Sequence, residues 1–386
     1  MRGSIQKRPS AKGSSYRVRV EYPADPTTGE RRQRSETFGT KREAEAALAK
    51  WVNEIERGTA VDTTRQTTGE FLTHWLDTVA AHRVRATTLE DYRATITKHL
   101  VPGLGNVPVQ RLTPAAVQAF YAAKLAGGCG PRTVQLCHLR LSQALKQGVR
   151  WGTVPRNVCE SVDPPKVTPG RGKTWTPDQA RRFLAAAETD GYAPLWLLAL
   201  TTGARQGELL GLRWEDVDLA KGSLSVRQAL AILDGKPIIQ APKSRAAVRT
   251  IALPVETVAA LKAHRARQNE ARLKAGALWV DHGLVFATPT GQPIHPANVQ
   301  RNHAKLQARA GVPRIRFHDL RHTHATWLIT GGQPITSVSE RLGHAKSSIT
   351  LDVYAHAVTA TQDRAALAVS ALLFGPAADA GAGTGS

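Results

Sequence analysis

Cysteine is scarce: three in 386 residues (Cys129, Cys137, Cys159), with no C-x-x-C pair. So small and odd a set provides no disulfide framework and fits a reducing compartment. Long apolar runs are missing as well. Hydrophobic residues make up 41% of the chain, and no run approaches the ~20 that a membrane helix needs, so a soluble protein with no membrane partner is expected. The opening MRGSIQKRPSAK holds no apolar h-region, so nothing marks the chain for secretion and a cytoplasmic protein is expected. Internal repeats are absent.

Acidic residues are few against basic ones, 31 against 52, for a net charge of +21. The excess is not confined to a tail. Basic residues outnumber acidic ones 14 to 9 over residues 1–66, 14 to 6 over 67–173 and 24 to 16 over 174–386. Each segment therefore has reason to face a polyanion. Double-stranded DNA fits best, because neutralising its phosphates releases condensed counterions.

At this length two or three domains are expected. In SSYRVRVEY (14–22), Tyr16, Val18, Val20 and Tyr22 alternate with Arg17, Arg19 and Glu21, the period of a half-buried strand. After the turn formers of PADPTTGE, RRQRSETFG reads as another strand carrying Arg32 and Arg34 on one face. From Lys41 a helical period takes over through Ala44, Leu48, Trp51, Val52 and Ile55. The expectation is an α+β module of a three-stranded sheet plus one helix over residues 1–60. Its open face would present Arg17, Arg19, Arg32 and Arg34 to a major groove.

Residues 67–160 read as an all-α, four-helix domain. The apolar stripes are Phe71, Trp75, Leu76 and Val79; Leu89, Tyr92, Ile96 and Leu100; Val117, Phe120, Tyr121 and Leu125; and Leu136, Leu139, Leu145 and Val149. Thr87-Thr88 and Thr113-Pro114 supply expected caps. A proline- and glycine-rich linker follows over 161–174. A mostly α domain over 175–374 contains a small antiparallel sheet near 215–252, with turns at Lys221-Gly222 and Asp234-Gly235. The low-complexity end, 375–386, is expected to be disordered.

Four segments of this third domain hold the chemistry. TTGARQGELLGLRWEDVD (201–218) has Arg205 after a glycine, with Glu208 one turn on. APKSRAAVRTIAL (241–253) has Lys243 in a turn. RIRFHDLRHTHATWL (314–328) has His318 and Arg321 just inside a helix start. RLGHAKSSITLDVYAH (341–356) has His344 after a glycine, with Tyr354 ten residues later. Separately each has an ordinary explanation, such as a surface ion pair or a solvated lysine. Together they closely resemble the catalytic domain of the tyrosine recombinases, the phage-lambda integrase family. Its T-G-x-R-x-G-E-L-L, P-K-S, R-T-I-x-L, H-D-L-R-H-T and L-G-H…Y motifs occur here in order.

The resemblance implies a tyrosine recombinase fold in all three domains: an arm-site-binding module, a core-binding helical domain and the catalytic domain. It implies a site-specific recombinase that cleaves and rejoins DNA through a 3′-phosphotyrosyl intermediate, to integrate and excise a mobile element. The catalytic set would be Arg205, Lys243, His318, Arg321, His344 and Tyr354, with Glu208 orienting Arg205. A homotetramer on core-type and arm-type sites is implied, without metal or cofactor. The apolar stretch 365–374 is either a segment docked on a neighbour or the last core helix. A directionality factor, a DNA-bending host protein and nucleoid association also belong to this picture, although the sequence does not say whether the factors are needed.

The residue types suit the chemistry. Attack on a phosphodiester needs an oxygen nucleophile, cations on the nonbridging oxygens and a proton for the leaving oxygen. Arg205 and Arg321 offer planar, permanently charged forks. Three other readings stand beside this one. His318 and His322 have the i, i+4 spacing of a zinc-protease helix, but Asp319 replaces its Glu and Arg321 would put a cation beside the metal. A type IB topoisomerase shares the phosphotyrosyl chemistry. A non-catalytic DNA-binding protein would share the charge but has no use for all six residues. His322 and His324 receive no chemistry from the sequence.

Overall fold

A computed structural model of the chain describes residues 3–10, 13–21, 33–56, 65–167, 172–242 and 248–343. Its contacts divide into two units at Pro169/Gly170. Among the described residues no helix is long and apolar enough to cross a membrane.

The first unit begins with β1 (Gly3–Ser10), β2 (Gly13–Glu21) and β3 (Gln33–Phe38), an antiparallel sheet in that order. Helix α1 (Lys41–Glu56) covers one face, burying Val18, Val20, Ala44, Trp51 and Ile55. The edge strand Gly3–Ser10 escapes the alternation rule because its IQKRPS stretch is nearly all polar. The register also corrects one expectation. Arg17 and Arg19 pair with Thr37 and Ser35 on the open face, whereas Arg34 pairs with Val20, which faces α1. Arg34 therefore lies on the helix side, its guanidinium 4.1 Å from the centre of the Trp51 ring. Arg32 lies outside the described residues.

Helices α2 (Thr68–Trp75) and α3 (Ala81–Arg83) are joined through a π-helical turn at Leu76–Ala80. A second such turn, Ile96–Leu100, joins α4 (Ala86–Thr95) to α5 (Val101–Leu104). Then come α6 (Pro114–Ala126) and α7 (Pro131–Arg150). Thr67 and Glu70 close a reciprocal cap on α2, and Thr113 caps α6. Thr87 and Thr88 cap nothing: the residue before α4 is Arg85, and both threonines fall in its first turn. The buried face of α7 is Val134, Cys137, Leu141, Ala144, Leu145 and Gly148. Leu139 and Val149, expected inside, are exposed, as is Leu125 on α6. On α7 the small inward residues Cys137, Ala144 and Gly148 share the phase with Leu141 and Leu145, whereas Leu139 falls outside it.

In the second unit, α8 (Pro177–Ala186) starts at a Thr176–Gln179 capping box and leads to α9 (Ala193–Thr202). Seven of the ten α9 residues are buried, which makes this helix the spine of the core. Helix α10 (Gln206–Leu210) follows after a three-residue break. Strands β4 (Val217–Asp218), β5 (Ser223–Val226) and β8 (Arg249–Ala252) form one antiparallel sheet. β6 (Ala229–Leu233) and β7 (Lys236–Gln240) form a separate hairpin, so two small sheets replace the single one expected. The Asp234-Gly235 turn has φ values of 49° and 72°, and Gly222 has 61°, the conformations that tight hairpin turns demand. Helices α11 (Val255–Ala275), α12 (Pro296–Arg309), α13 (Phe317–Thr330) and α14 (Ile335–Leu342) complete the unit.

Candidate active site

The site is assembled where α9 ends. Gly203 closes that helix in the left-handed region, φ 63°, which L residues avoid. A Cβ there would also lie 2.7 Å from His324 Cδ2 and 2.8 Å from Leu342 Cδ2. This turn delivers Arg205 to the residue just before α10. Glu208, buried at the third position of α10, accepts the Arg205 backbone N–H at 2.9 Å and its Nη1 at 2.7 Å. The Arg205 side chain is 39% exposed, so a fork steadied on one side faces solvent on the other.

Burial alone would raise the Glu208 pKa. The bonds from Arg249 and Arg205 outweigh it and hold this carboxyl below the usual range. Arg249 grips both carboxylate oxygens: its Nη2 reaches Glu208 Oε2 at 2.8 Å and its Nη1 reaches Oε1 at 3.3 Å.

Helix α13 presents His318 and Arg321 one turn apart. Arg316 precedes the helix and pairs with buried Asp319, whose carboxylate accepts the Arg316 backbone N–H at 2.8 Å and the guanidinium at 2.8 and 3.1 Å. The first turn thus carries its own anion. Arg321 is 3% exposed. Its Nη1 donates to the Gly203 carbonyl at 3.0 Å and its Nη2 to the Leu342 carbonyl at 2.6 Å. One buried guanidinium therefore pins the segment carrying Arg205 to the end of α14, where Gly343, also left-handed (φ 67°), leads into His344.

His318 is exposed at the rim, its ring edge-to-face with His322 at 5.1 Å. Partial withdrawal from water, then His322, Arg321 and Arg205, push its pKa down to about 4. The imidazole is therefore neutral at pH 7 and able to accept a proton. His318 lies beside a cleft of about 850 Å³ lined also by Lys173, Gln206, His303, Arg314 and Arg316.

Three residues the sequence reading left without a role complete the cluster. His324 is buried, its Nδ1 bonded to the Leu200 carbonyl at 2.8 Å and its Nε2 receiving Arg341 Nε at 3.2 Å. That pairing demands the neutral tautomer with the proton on Nδ1. Burial and then Arg341 lower the His324 pKa to about 4, consistent with that tautomer. Arg341 also donates Nη2 to the carbonyls of Thr201 and Ala252, both at 3.0 Å. Arg249 sits at an inward position of β8, in phase with buried Ile251. A charged residue at that parity is the one signal that could have singled it out beforehand. Lys243, His344 and Tyr354 lie outside the described residues.

Four guanidiniums, those of Arg205, Arg249, Arg321 and Arg341, thus share one locality. In the bonds described, one carboxylate, Glu208, answers them. The other partners described are neutral, carbonyls and the His324 ring, and do not cancel the charge, so the site favours an anion with several acceptor oxygens.

Comparison with known proteins agrees. Residues 173–360 match the phage integrase family, 67–125 the phage integrase N-terminal SAM-like domain and 5–55 an arm DNA-binding domain. A XerC-like tyrosine recombinase of Caldanaerobacter subterraneus subsp. tengcongensis is 32% identical over 347 residues, covering 84% of this chain and 88% of that protein. Among solved structures, the Tn1549 transposon integrase in complex with circular-intermediate DNA superposes with a TM-score of 0.66, at 20% identity, over 80% of this chain and 99% of that one. A lambda integrase tetramer bound to a Holliday junction gives 0.55 at 19% identity, over 87% and 91%. These two likenesses concern the fold: mostly helical, with small antiparallel sheets. Motifs, site geometry and relatives lead to one conclusion: this chain belongs to the phage integrase family of tyrosine recombinases and is a site-specific DNA recombinase of a mobile element.

Proposed function

We propose that Arg205, Lys243, His318, Arg321, His344 and Tyr354 carry strand exchange, with Glu208 as the residue that orients Arg205. The observation behind this reading is the pair of bonds from Arg321 to the carbonyls of Gly203 and Leu342, which gathers three of the four motif segments around one buried cation. Tyr354 Oη attacks the scissile phosphorus and the bond to the 5′ oxygen breaks, leaving a 3′-phosphotyrosyl link. Neutral His318 takes the phenol proton, and Lys243 protonates the departing 5′ oxygen. Arg205 and Arg321 stabilise the negative charge on the nonbridging oxygens, and His344 adds a hydrogen bond. A 5′ hydroxyl of the partner strand reverses the sequence, so the bond energy is conserved and no nucleotide cofactor is consumed.

In this reading residues 1–60 bind arm-type sites, with Arg17 and Arg19 on the exposed sheet face. Residues 67–160 bind core-type sites, 161–174 link the two parts, and 175–374 hold the chemistry. The working form is a homotetramer on two sites, a reading supported by the lambda integrase tetramer solved on a Holliday junction, and a directionality factor and a DNA-bending host protein are candidates for its accessory partners. The test is a covalent adduct on a nicked attachment-site duplex. The parent chain should accumulate a denaturation-resistant protein–DNA species and Tyr354→Phe none. Equal behaviour of the two would refute the assignment.

A further inference from the structure

We infer that Arg249 is a positioning residue for strand transfer: it sets the aim of Arg205 through Glu208 while fixing the end of α14. The inference rests on the reading of Arg205 given above. Each nitrogen of the Arg249 fork is committed. Nη1 and Nη2 go to the two oxygens of Glu208 at 3.3 and 2.8 Å, and Nε goes to the Arg341 carbonyl at 2.7 Å. The Arg249 and Glu208 side chains are 7% and 6% exposed. Glu208 in turn holds Arg205 by backbone and side chain. The rotamer of the exposed arginine is therefore set by a carboxylate whose own orientation is set by Arg249.

The second connection makes this more than an ion pair. Arg249 donates to the carbonyl of Arg341, and Arg341 donates to the carbonyl of Ala252 at 3.0 Å. β8 and the end of α14 are thus clasped reciprocally. The same Arg341 nitrogen reaches the Thr201 carbonyl at 3.0 Å, and Arg341 Nε reaches His324, which is anchored on Leu200. The segments that lead to Arg205 and to His344 are both referred to β8, the strand that opens six residues after Lys243.

A buried pair of this kind is poor value as a stabiliser, since an apolar pair of equal volume often does as well. Its geometric worth is different: a planar fork with fixed angles registers two segments at once. A lysine, with one nitrogen on a flexible stem, cannot reproduce those contacts even though it keeps the charge.

Strand cleavage by the full chain is measured on nicked attachment-site duplexes carrying either a phosphodiester or a neutral methylphosphonate at the scissile position. On the phosphodiester, Arg249→Lys should cleave about 10- to 100-fold slower than the parent, the range for a misaimed group near the chemistry. Binding in a gel shift should stay within about threefold, because phosphate contacts elsewhere supply the affinity. On the methylphosphonate, which carries no nonbridging charge for Arg205 to meet, the defect should shrink to under about threefold.

Replacing both partners by neutral residues of similar size, Arg249→Met with Glu208→Gln, leaves no buried charge unpaired and should show the same slowing and rescue. Parent-rate cleavage of the phosphodiester by either variant, or equal slowing on both substrates, would overturn the inference. So would failure of both variants to fold in a thermal melt, which would make Arg249 purely structural. Arg205→Ala in the same assay separates the two layers. If it cleaves like the parent, the phosphate site itself is misread. If it is crippled and rescued while Arg249→Lys is normal, only the role of Arg249 falls.

Discussion

The two large parts of the chain bury different things. Among the described residues, the helical region 65–167 buries two polar side chains, Thr68 and Asn157. The region 172–343 buries eleven, among them Glu208, Asp319, Arg321, His303 and His324. The first interior is held by apolar contact and aromatic packing, such as Trp75 stacked on Tyr92 with Arg140 over the far ring. The second is a hydrogen-bonded scaffold threaded through an apolar core. An interior of the first kind tolerates any filler of the right volume. One of the second kind fails when a single donor is lost.

The sharpest way to break this contrast sets Arg321→Ala against Leu141→Ala. Removing Arg321 should slow covalent adduct formation by about 10²–10³-fold, the cost of deleting one charge-stabilising donor. The carbonyls of Gly203 and Leu342 would lose a donor, at ~1–3 kcal/mol each. Leu141, fully buried on α7, should cost about 2–5 kcal/mol when truncated, through the cavity left behind. The rate of adduct formation per folded molecule should not change. Denaturant titration and quenched cleavage read the two quantities. A Leu141→Ala chain that is folded but chemically dead would erase the distinction.

Acid should act on the second region first. Burial lowers the pKa values of His303 and His324 to about 4, and partial burial followed by its cationic neighbours takes His318 to about 4. Between pH 6.5 and 4 the unfolded chain binds protons that the folded chain refuses. Stability is therefore complete above about pH 6.5 and is lost as pH falls toward 4, by on the order of 1–2 kcal/mol at pH 5 for each of the two buried histidines. His99 and His138 in the helical region shift the same way but less. Peptide-resolved hydrogen exchange at pH 5 should show protection lost in 172–343 before 65–167. Simultaneous loss, or the reverse order, would contradict this account.

The smallest test asks where the two regions ought to agree. Thr113→Ala on α6 and Thr176→Ala on α8 each remove a helix cap. Both should cost roughly 1 kcal/mol, seen as a small drop in thermal midpoint, with cleavage untouched.

The same contrast explains what could be read without coordinates. Helical stripes such as Phe71–Trp75–Leu76 and the alternation of Val18 and Val20 announce themselves because apolar residues sort by period. On α7 Leu145 is inside as its stripe predicts, but Leu139 and Val149 look like core and are exposed, while Cys137, Ala144 and Gly148 are inside. Arg34 reads as an open-face residue but sits opposite Val20, because alternation within each strand does not fix which face of β3 matches which face of β2. At the site, motif order singled out Arg205, His318 and Arg321. His324 and Arg341 stayed silent, because their partners are mostly carbonyls from distant segments, and Arg249 offered only its parity with Ile251.

Gly203 has a bearing on engineering. Its positive φ, the lack of room for a Cβ beside His324 and Leu342, and a carbonyl shared with Arg321 make one turn answerable to three neighbours. Libraries meant to retarget this enzyme gain nothing by diversifying the 201–208 stretch, where a single change would disturb several supports together. Variation placed on the polar sheet face around Arg17 and Arg19, in the region that matches an arm DNA-binding domain, touches none of these supports.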